Sequence, residues 1–366
     1  MDTIKVGING FGRIGRAVFR HILRRPDIEV VAINDLGHNP YNLCYMLKYD
    51  SIYGVLQDDI RVTDHASTEK DWIPSEFEVN GNRIQVFSEN KIEAVPWADL
   101  GVSYLIESTG DGQNLLNARK VLGNGLERVI TTNAPQDHVD FTFVFDVTDR
   151  EFDLARHSIV AASICDVVGM APVIRRLEGQ FGVVSGFVTT LHPWLSYQNL
   201  LDSRPSATEF KDRPGIYGAS TQLVMGRSSV GNLIPKDTSA VSALEQVVPG
   251  VRGKLSGMSY RVPTDIVTTG IVTLELNTKT SKDEVRDFLR KSAREPFMGY
   301  HEEALISVDY KCNDTSCSVD GKWIDVVNDR NVRFVSWYDN EWGYSARVVD
   351  IVEHIAGLSA KSASVQ

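Results

Sequence analysis

The chain has 366 residues, 42% hydrophobic and 23% charged, the composition of a soluble globular protein with room for two ordinary domains. A net charge of −10 disfavours polyanion binding over most of the surface, so nucleic acid is a poor partner, while a local pocket for a phosphate or dinucleotide stays open. No apolar run approaches a membrane span and MDTIKVGINGFG lacks the regions of a secretory signal, so the expectation is a cytoplasmic protein with no membrane role.

In chain order, Ile4–Ile8 reads as a strand, GFGRIG as a turn, and Arg16–Arg25 as a helix through Val18, Phe19, Ile22 and Leu23. A β-branched run, Ile28–Ile33, completes a βαβ unit of about 30 residues. Further strands are predicted at Ile60–Thr63, Phe77–Val79, Arg83–Val86, Tyr104–Glu107, Arg128–Thr131, Phe141–Phe145 and Ser158–Ala161, with a helix near Gln113–Leu122. Beyond Cys165 the pattern predicts a helix, Val167–Leu177, then strands at Val183–Leu191, Gly257–Val262, Ile266–Leu276 and Ala304–Tyr310, a mostly antiparallel set. The stretch from Leu200 to Asn232 has no period and is too long for an ordinary connection.

Gly10, Gly12 and Gly15 form a dinucleotide fingerprint, in which glycines let backbone N–H groups approach a pyrophosphate at a helix N-terminus. Asp35, twenty positions after Gly15, is placed to accept hydrogen bonds from ribose hydroxyls; its charge repels a ribose phosphate and favours NAD over NADP. The four cysteines, Cys44, Cys165, Cys312 and Cys317, match neither a disulfide framework nor a paired CxxC zinc site, so no metal is expected. Cys165 falls just before a helix, whose positive end lowers a thiol pKa, yet an isolated cysteine is more often a small buried side chain. His192 is equally open between base and structural residue. Arg261 reads as an anion clamp or a surface ion pair, and Asn340 and Tyr344 as cofactor contacts or members of an aromatic cluster.

The segments IKVGINGFGRIGR, VVAIND, LKYDS, SGMSYRVPT and SWYDNEWGYSARVVD, in this order, resemble the glyceraldehyde-3-phosphate dehydrogenase family from about Ile4 to Ile355. The resemblance implies an α/β fold: a doubly wound NAD-binding domain over 1–164, completed by a C-terminal helix over 340–358, and an α+β catalytic domain over 165–339 with a mostly antiparallel sheet. It also implies NAD as cofactor, a small anionic aldehyde as substrate, and a homotetramer. Position by position, it makes Cys165 the nucleophile and His192 the base, adds Arg13 and Ile14 to the cofactor contacts, gives Asn340 the nicotinamide carboxamide, and places Thr238, Ser239, Asp166 and Arg261 at substrate or phosphate sites.

The departures cluster at the nucleophile. Where the family reads Ser-Cys-Thr-Thr-Asn-Cys-Leu-Ala-Pro, this chain reads Ile164-Cys165-Asp166-Val167-Val168-Gly169-Met170-Ala171-Pro172. Asp166 replaces a phosphate-holding threonine; like charges at about 4 Å in an effective dielectric of 20 cost roughly 4 kcal/mol, which weakens phosphate binding, and the same carboxylate opposes thiolate formation on Cys165. Leu195 stands at another phosphate threonine, Ser239 at a usual glycine, and the loop from His192 to Thr238 is longer than the family's, with Arg204, Arg213 and Arg227 read as solvated in preference to restoring positive charge near the substrate. The leading expectation is therefore a Cys165 aldehyde dehydrogenase whose thioester is released to water. Its rivals are the ordinary phosphorylating enzyme and an NAD-binding regulatory protein without catalysis.

Overall fold

The computed structural model describes residues 3–37, 39–62, 76–133, 138–203 and 223–363. The chain divides into two compact units: Met1–Phe143, Phe152–Ala162 and Ser345–Gln366 form the first, Val144–Glu151 and Ser163–Tyr344 the second. No helix among the described residues is long and apolar enough to cross a membrane.

The first unit is built on a sheet whose opening strand, Ile4–Asn9, lies in the middle. Ile28–Asn34 pairs with it on one side and Tyr104–Glu107 on the other, both parallel, so the winding direction reverses at the end of Ile4–Asn9. Ligands of doubly wound sheets bind at such a reversal. Parallel strands Arg128–Thr131, Ile159–Ala161 and Phe141–Thr142 extend one flank; Asn82–Phe87 and the antiparallel Glu76–Val79 and Ile60–Val62 extend the other. Helix Arg13–Ile22 buries Ala17, Val18, Phe19 and Ile22, the stripe expected of a period near 3.6. The last helix, Trp342–Ala363, joins this unit from Ser345 onward, where Asp350 accepts from Arg25 at 2.8 Å.

The second unit holds a mixed sheet, Ile234–Lys236, Leu255–Val262, Val183–Pro193, Thr268–Leu276, Asn331–Tyr338, Ser318–Asp320 and Gly299–His301 in spatial order. Most neighbours are antiparallel, but two pairs run parallel, Val183–Pro193 with Leu255–Val262, where His192 lies opposite Arg261, and Gly299–His301 with Ser318–Asp320. Helix Cys165–Phe181 buries Val167, Met170, Ala171, Ile174 and Leu177 in the core of this unit, together with Val272, Leu274 and Phe334 from the sheet.

Three expectations change in the structure. The strand foreseen over Phe141–Phe145 stops at Thr142, because Val144 turns to donate its N–H to Thr148 Oγ1 at 2.9 Å. The run Ala304–Tyr310 is no strand: Asp309 accepts from the Ile306 N–H at 2.7 Å and closes a short 3-10 turn, leaving Ile306 and Val308 exposed. The helix foreseen from Val167 begins two residues earlier, so that Cys165 is its first residue.

The two glycines that open the first helix separate packing from ligand access. A Cβ on Gly15 would stand 2.2 Å from the Gly10 carbonyl oxygen, whereas one on Gly12 meets nothing within 4 Å. Gly15→Ala is expected to lose about 1–3 kcal/mol of stability and Gly12→Ala to stay within about 0.5 kcal/mol of the parent in denaturant titration.

Candidate active site

In the first unit the fingerprint turn takes the shape its glycines permit. Gly10 adopts φ +92°, which a side chain resists, and Gly12 is exposed ahead of the helix that begins at Arg13. Below the turn, Asn34 donates to Asn9 Oδ1 at 2.7 Å and Asn9 donates to Glu107, tying together the ends of three adjacent strands. Burial pushes the Glu107 carboxyl up to about 7. Asp35 accepts from the Phe11 N–H at 2.5 Å, which fixes its carboxylate beside the turn. Arg13 pairs with Asp50 at 2.9 Å and lies over the Tyr53 ring, and Ile14 is half-buried in the first turn of the helix.

In the second unit the nucleophile and base of the sequence reading meet. Cys165 Sγ lies 3.6 Å from His192 Nε2. His192 Nδ1 faces the Pro193 carbonyl at 3.1 Å, a contact made by the tautomer with hydrogen on Nδ1, which leaves the Nε2 lone pair aimed at the thiol. Cys165 enters from a constrained turn: Ser163 has φ +61°, and its carbonyl accepts the Tyr344 hydroxyl at 3.0 Å. The Tyr344 phenol, foreseen as a cofactor contact, is thus used to hold the turn that presents the thiol.

Asp166 follows the thiol and is only 7% exposed. Its Oδ1 accepts the Tyr338 hydroxyl at 2.8 Å and lies 3.9 Å from Cys165 Sγ. Tyr338 comes this close because residue 169 is glycine; a Cβ there would stand 2.4 Å from the Tyr338 ring. Arg261, buried and in register with His192, donates to the Pro193 carbonyl at 3.4 Å and to the Tyr197 hydroxyl at 3.3 Å. Thr238 accepts from the Ala240 N–H at 3.1 Å and Ser239 is the residue before helix Ala240–Val247. Sequence reasoning missed Tyr338, Tyr197 and Lys236 as members of this set. Lys236, two residues before Thr238, carried a usable signal as a cation next to a foreseen anion site. Of the loop arginines, Arg227 is exposed and paired with Asp202 at 3.0 Å; Arg204 and Arg213 lie outside the described residues.

The charges set the protonation of the pair. Burial, with Asp166 adding, pushes the Cys165 thiol above its ordinary range while Arg261 pulls it back. The sequence offered two opposed effects, a helix end that lowers the thiol and a carboxylate that opposes its ionisation; here desolvation, then Asp166, outweigh the helix dipole. Burial, then Arg261, holds His192 well below its ordinary value, against the Pro193 carbonyl, with Lys236 also lowering it. Burial raises Asp166, against the Tyr338 hydrogen bond and the charges of Arg261 and Lys236. These directions favour a neutral thiol facing a neutral imidazole over a standing thiolate–imidazolium pair.

Asn340 is 5% exposed and its Oδ1 is buried without a hydrogen-bond partner among the described residues. A buried acceptor left open suits an amide donor brought by a ligand, as a nicotinamide carboxamide would be.

A cysteine paired with a tautomer-fixed histidine, in a chain that also carries a dinucleotide turn, is an arrangement found in cofactor-dependent dehydrogenases. Residues 4–115 match the family pattern "Glyceraldehyde 3-phosphate dehydrogenase, NAD binding domain", and residues 164–340 match "Glyceraldehyde 3-phosphate dehydrogenase, C-terminal domain". The glyceraldehyde-3-phosphate dehydrogenase of Podospora anserina is 36% identical over 98% of this chain and 99% of its own. That of Geobacillus stearothermophilus is 37% identical over 97% of this chain and 98% of its own. The chain belongs to the glyceraldehyde-3-phosphate dehydrogenase family. It is an NAD-dependent oxidoreductase that acts on an aldehyde group.

A raised thiol pKa and a neutral His192 leave a clear kinetic mark. Iodoacetamide alkylation of Cys165 in the cofactor-free protein is expected to climb about tenfold per pH unit from pH 7 to 9, following the thiolate fraction. A rate already level between pH 6 and 7 would reveal a preformed ion pair and overturn this assignment.

Proposed function

We propose that this chain oxidises a small anionic aldehyde through a thioester on Cys165 and releases the acyl group to water. The observation that carries this reading is Asp166, a buried acid 3.9 Å from the nucleophile, at the place where a phosphate dianion would have to approach the thioester.

In the first half-reaction Cys165 Sγ attacks the aldehyde carbon, the S–C bond forms, and the thiol proton passes to His192 Nε2. His192 returns that proton to the substrate oxygen, giving the Cys165 thiohemiacetal, and takes it back as the thioester forms; NAD+, when bound, would accept the hydride that leaves this carbon, and the proton on His192 then passes to solvent. In the second, His192, again neutral, takes a proton from water as the water oxygen attacks the thioester carbon. The C–S bond breaks and the sulfur leaves with a proton from His192. Residues to hold the cofactor are the turn of Gly10, Gly12 and Gly15 with Arg13 and Ile14 at the helix start, Asp35 for the ribose hydroxyls, and the open acceptor of Asn340 for the carboxamide. Arg261 and Lys236, with Thr238 and Ser239 at a helix N-terminus, supply positive potential for the substrate's anionic group. A homotetramer in the cytoplasm belongs to this reading on family membership alone.

The same cations favour a second reading, the phosphorylating reaction, in which Arg261 and Lys236 offset Asp166 and admit inorganic phosphate. Product analysis separates the two. With glyceraldehyde 3-phosphate and other small aldehydes, NADH formation is expected to continue without phosphate and to yield the carboxylic acid. Strict phosphate dependence with an acyl phosphate product supports the second reading instead. In either case His192→Asn is expected to lower kcat by roughly 10²–10⁴ fold in steady-state assays.

A further inference from the structure

We propose that Cys165, Asp166 and His192 form a binding site for a divalent metal ion, Zn2+ by the chemistry of its donors, whose occupation withdraws the nucleophile from reaction. A thiol sulfur, a carboxylate oxygen and an imidazole nitrogen lie within 4.8 Å of one another, carried by two neighbouring elements of the same unit. Sγ stands 3.6 Å from His192 Nε2 and 3.9 Å from Asp166 Oδ1. Zn–S and Zn–N bonds of about 2.3 and 2.0–2.1 Å at a tetrahedral angle separate sulfur and nitrogen by roughly 3.6 Å, so these two donors already stand at the right spacing for one ion. The sulfur–oxygen distance asks only for a somewhat wider angle at the metal.

The surroundings resemble the support that zinc ligands ordinarily receive. The Pro193 carbonyl at 3.1 Å from His192 Nδ1 fixes the tautomer with Nε2 free to bind, and the Tyr338 hydroxyl at 2.8 Å orients the Asp166 carboxylate. Charge points the same way. Without an ion, a thiolate and a carboxylate buried side by side oppose each other's ionisation; a dication neutralises both. Arg261 and Lys236 resist a cation, which is why two anionic ligands are required rather than one. On binding, a Zn–S bond forms, the thiol proton goes to solvent, no electron is transferred, and a fourth position is left for water. Cysteine spacing along the chain excluded only sites made of paired cysteines; this one mixes three residue types across the fold.

The test uses the full chain without cofactor and Co2+ as a spectroscopic stand-in for Zn2+, so its outcome is independent of which molecule accepts the acyl group. Titration is expected to give one ion per chain with a thiolate-to-metal charge-transfer band, absent in Cys165→Ser. Zn2+ is expected to displace Co2+ and to slow iodoacetamide labelling of Cys165 at least tenfold, with EDTA restoring the rate. Asp166→Asn, close in shape but a poor ligand, is expected to weaken binding at least tenfold. Should that variant fail to fold, His192→Asn carries the same expectation. No charge-transfer band, a band that persists in Cys165→Ser, or unchanged affinity in the folded ligand variants overturns the site.

Discussion

Burying a carboxylate one residue after the nucleophile is the constraint on which the rest of this site depends. An acid that loses its water needs compensation, and Asp166 receives it from the Tyr338 hydroxyl, from Arg261 and Lys236, and from the N-terminal end of helix Cys165–Phe181. Each partner comes from a different part of the second unit: the helix itself, the strand ending at Tyr338, and the strands that carry Lys236 and Arg261. The register aligns the ends of those strands, with His192 opposite Arg261, Arg261 opposite Ile234 and Tyr338 opposite Thr268, and the charges assemble along that margin of the sheet.

The chemistry follows from that arrangement. Burial, then the carboxylate, raises the thiol, while burial, then the cations that offset the carboxylate, lowers the imidazole, so both partners of the pair are pushed toward their neutral forms. A thiol held this way has little resting reactivity, since an electrophile must reach Sγ as Nε2 takes its proton before sulfur becomes a strong nucleophile. Alkylating and oxidising agents that depend on a standing thiolate find little to react with.

Much of this was legible in the sequence, and the remainder for identifiable reasons was not. The glycine turn, its helix and the acid after the second strand were readable because a βαβ unit places them within a short span, where local spacing equals spatial relation. Cys165 and His192 were readable only together, and only through the family resemblance, because no period in either segment says that they meet. Tyr338 was hidden inside a motif whose other residues attracted attention; its contact with Asp166 spans 172 positions and depends on a glycine that by itself reads as a helix defect. The direction of the Cys165 shift stayed open between two opposed effects for a related reason. A helix start can be located in a sequence, whereas the depth of burial that opposes it is a property of the packed unit.

Gly169 shows what this interdependence means for the history of the chain. A larger residue there would lift the helix from the Tyr338 ring and take the donor from Asp166, leaving its charge in the interior with one compensating partner fewer. A neutral residue without an acceptor at 166 would instead strand the phenol of a tyrosine made buried by the same packing. Positions 166, 169 and 338 are thus poorly exchangeable one at a time: each single step away passes through a state that is worse than either end. Such a triplet behaves as a ratchet: it is changed together or not at all.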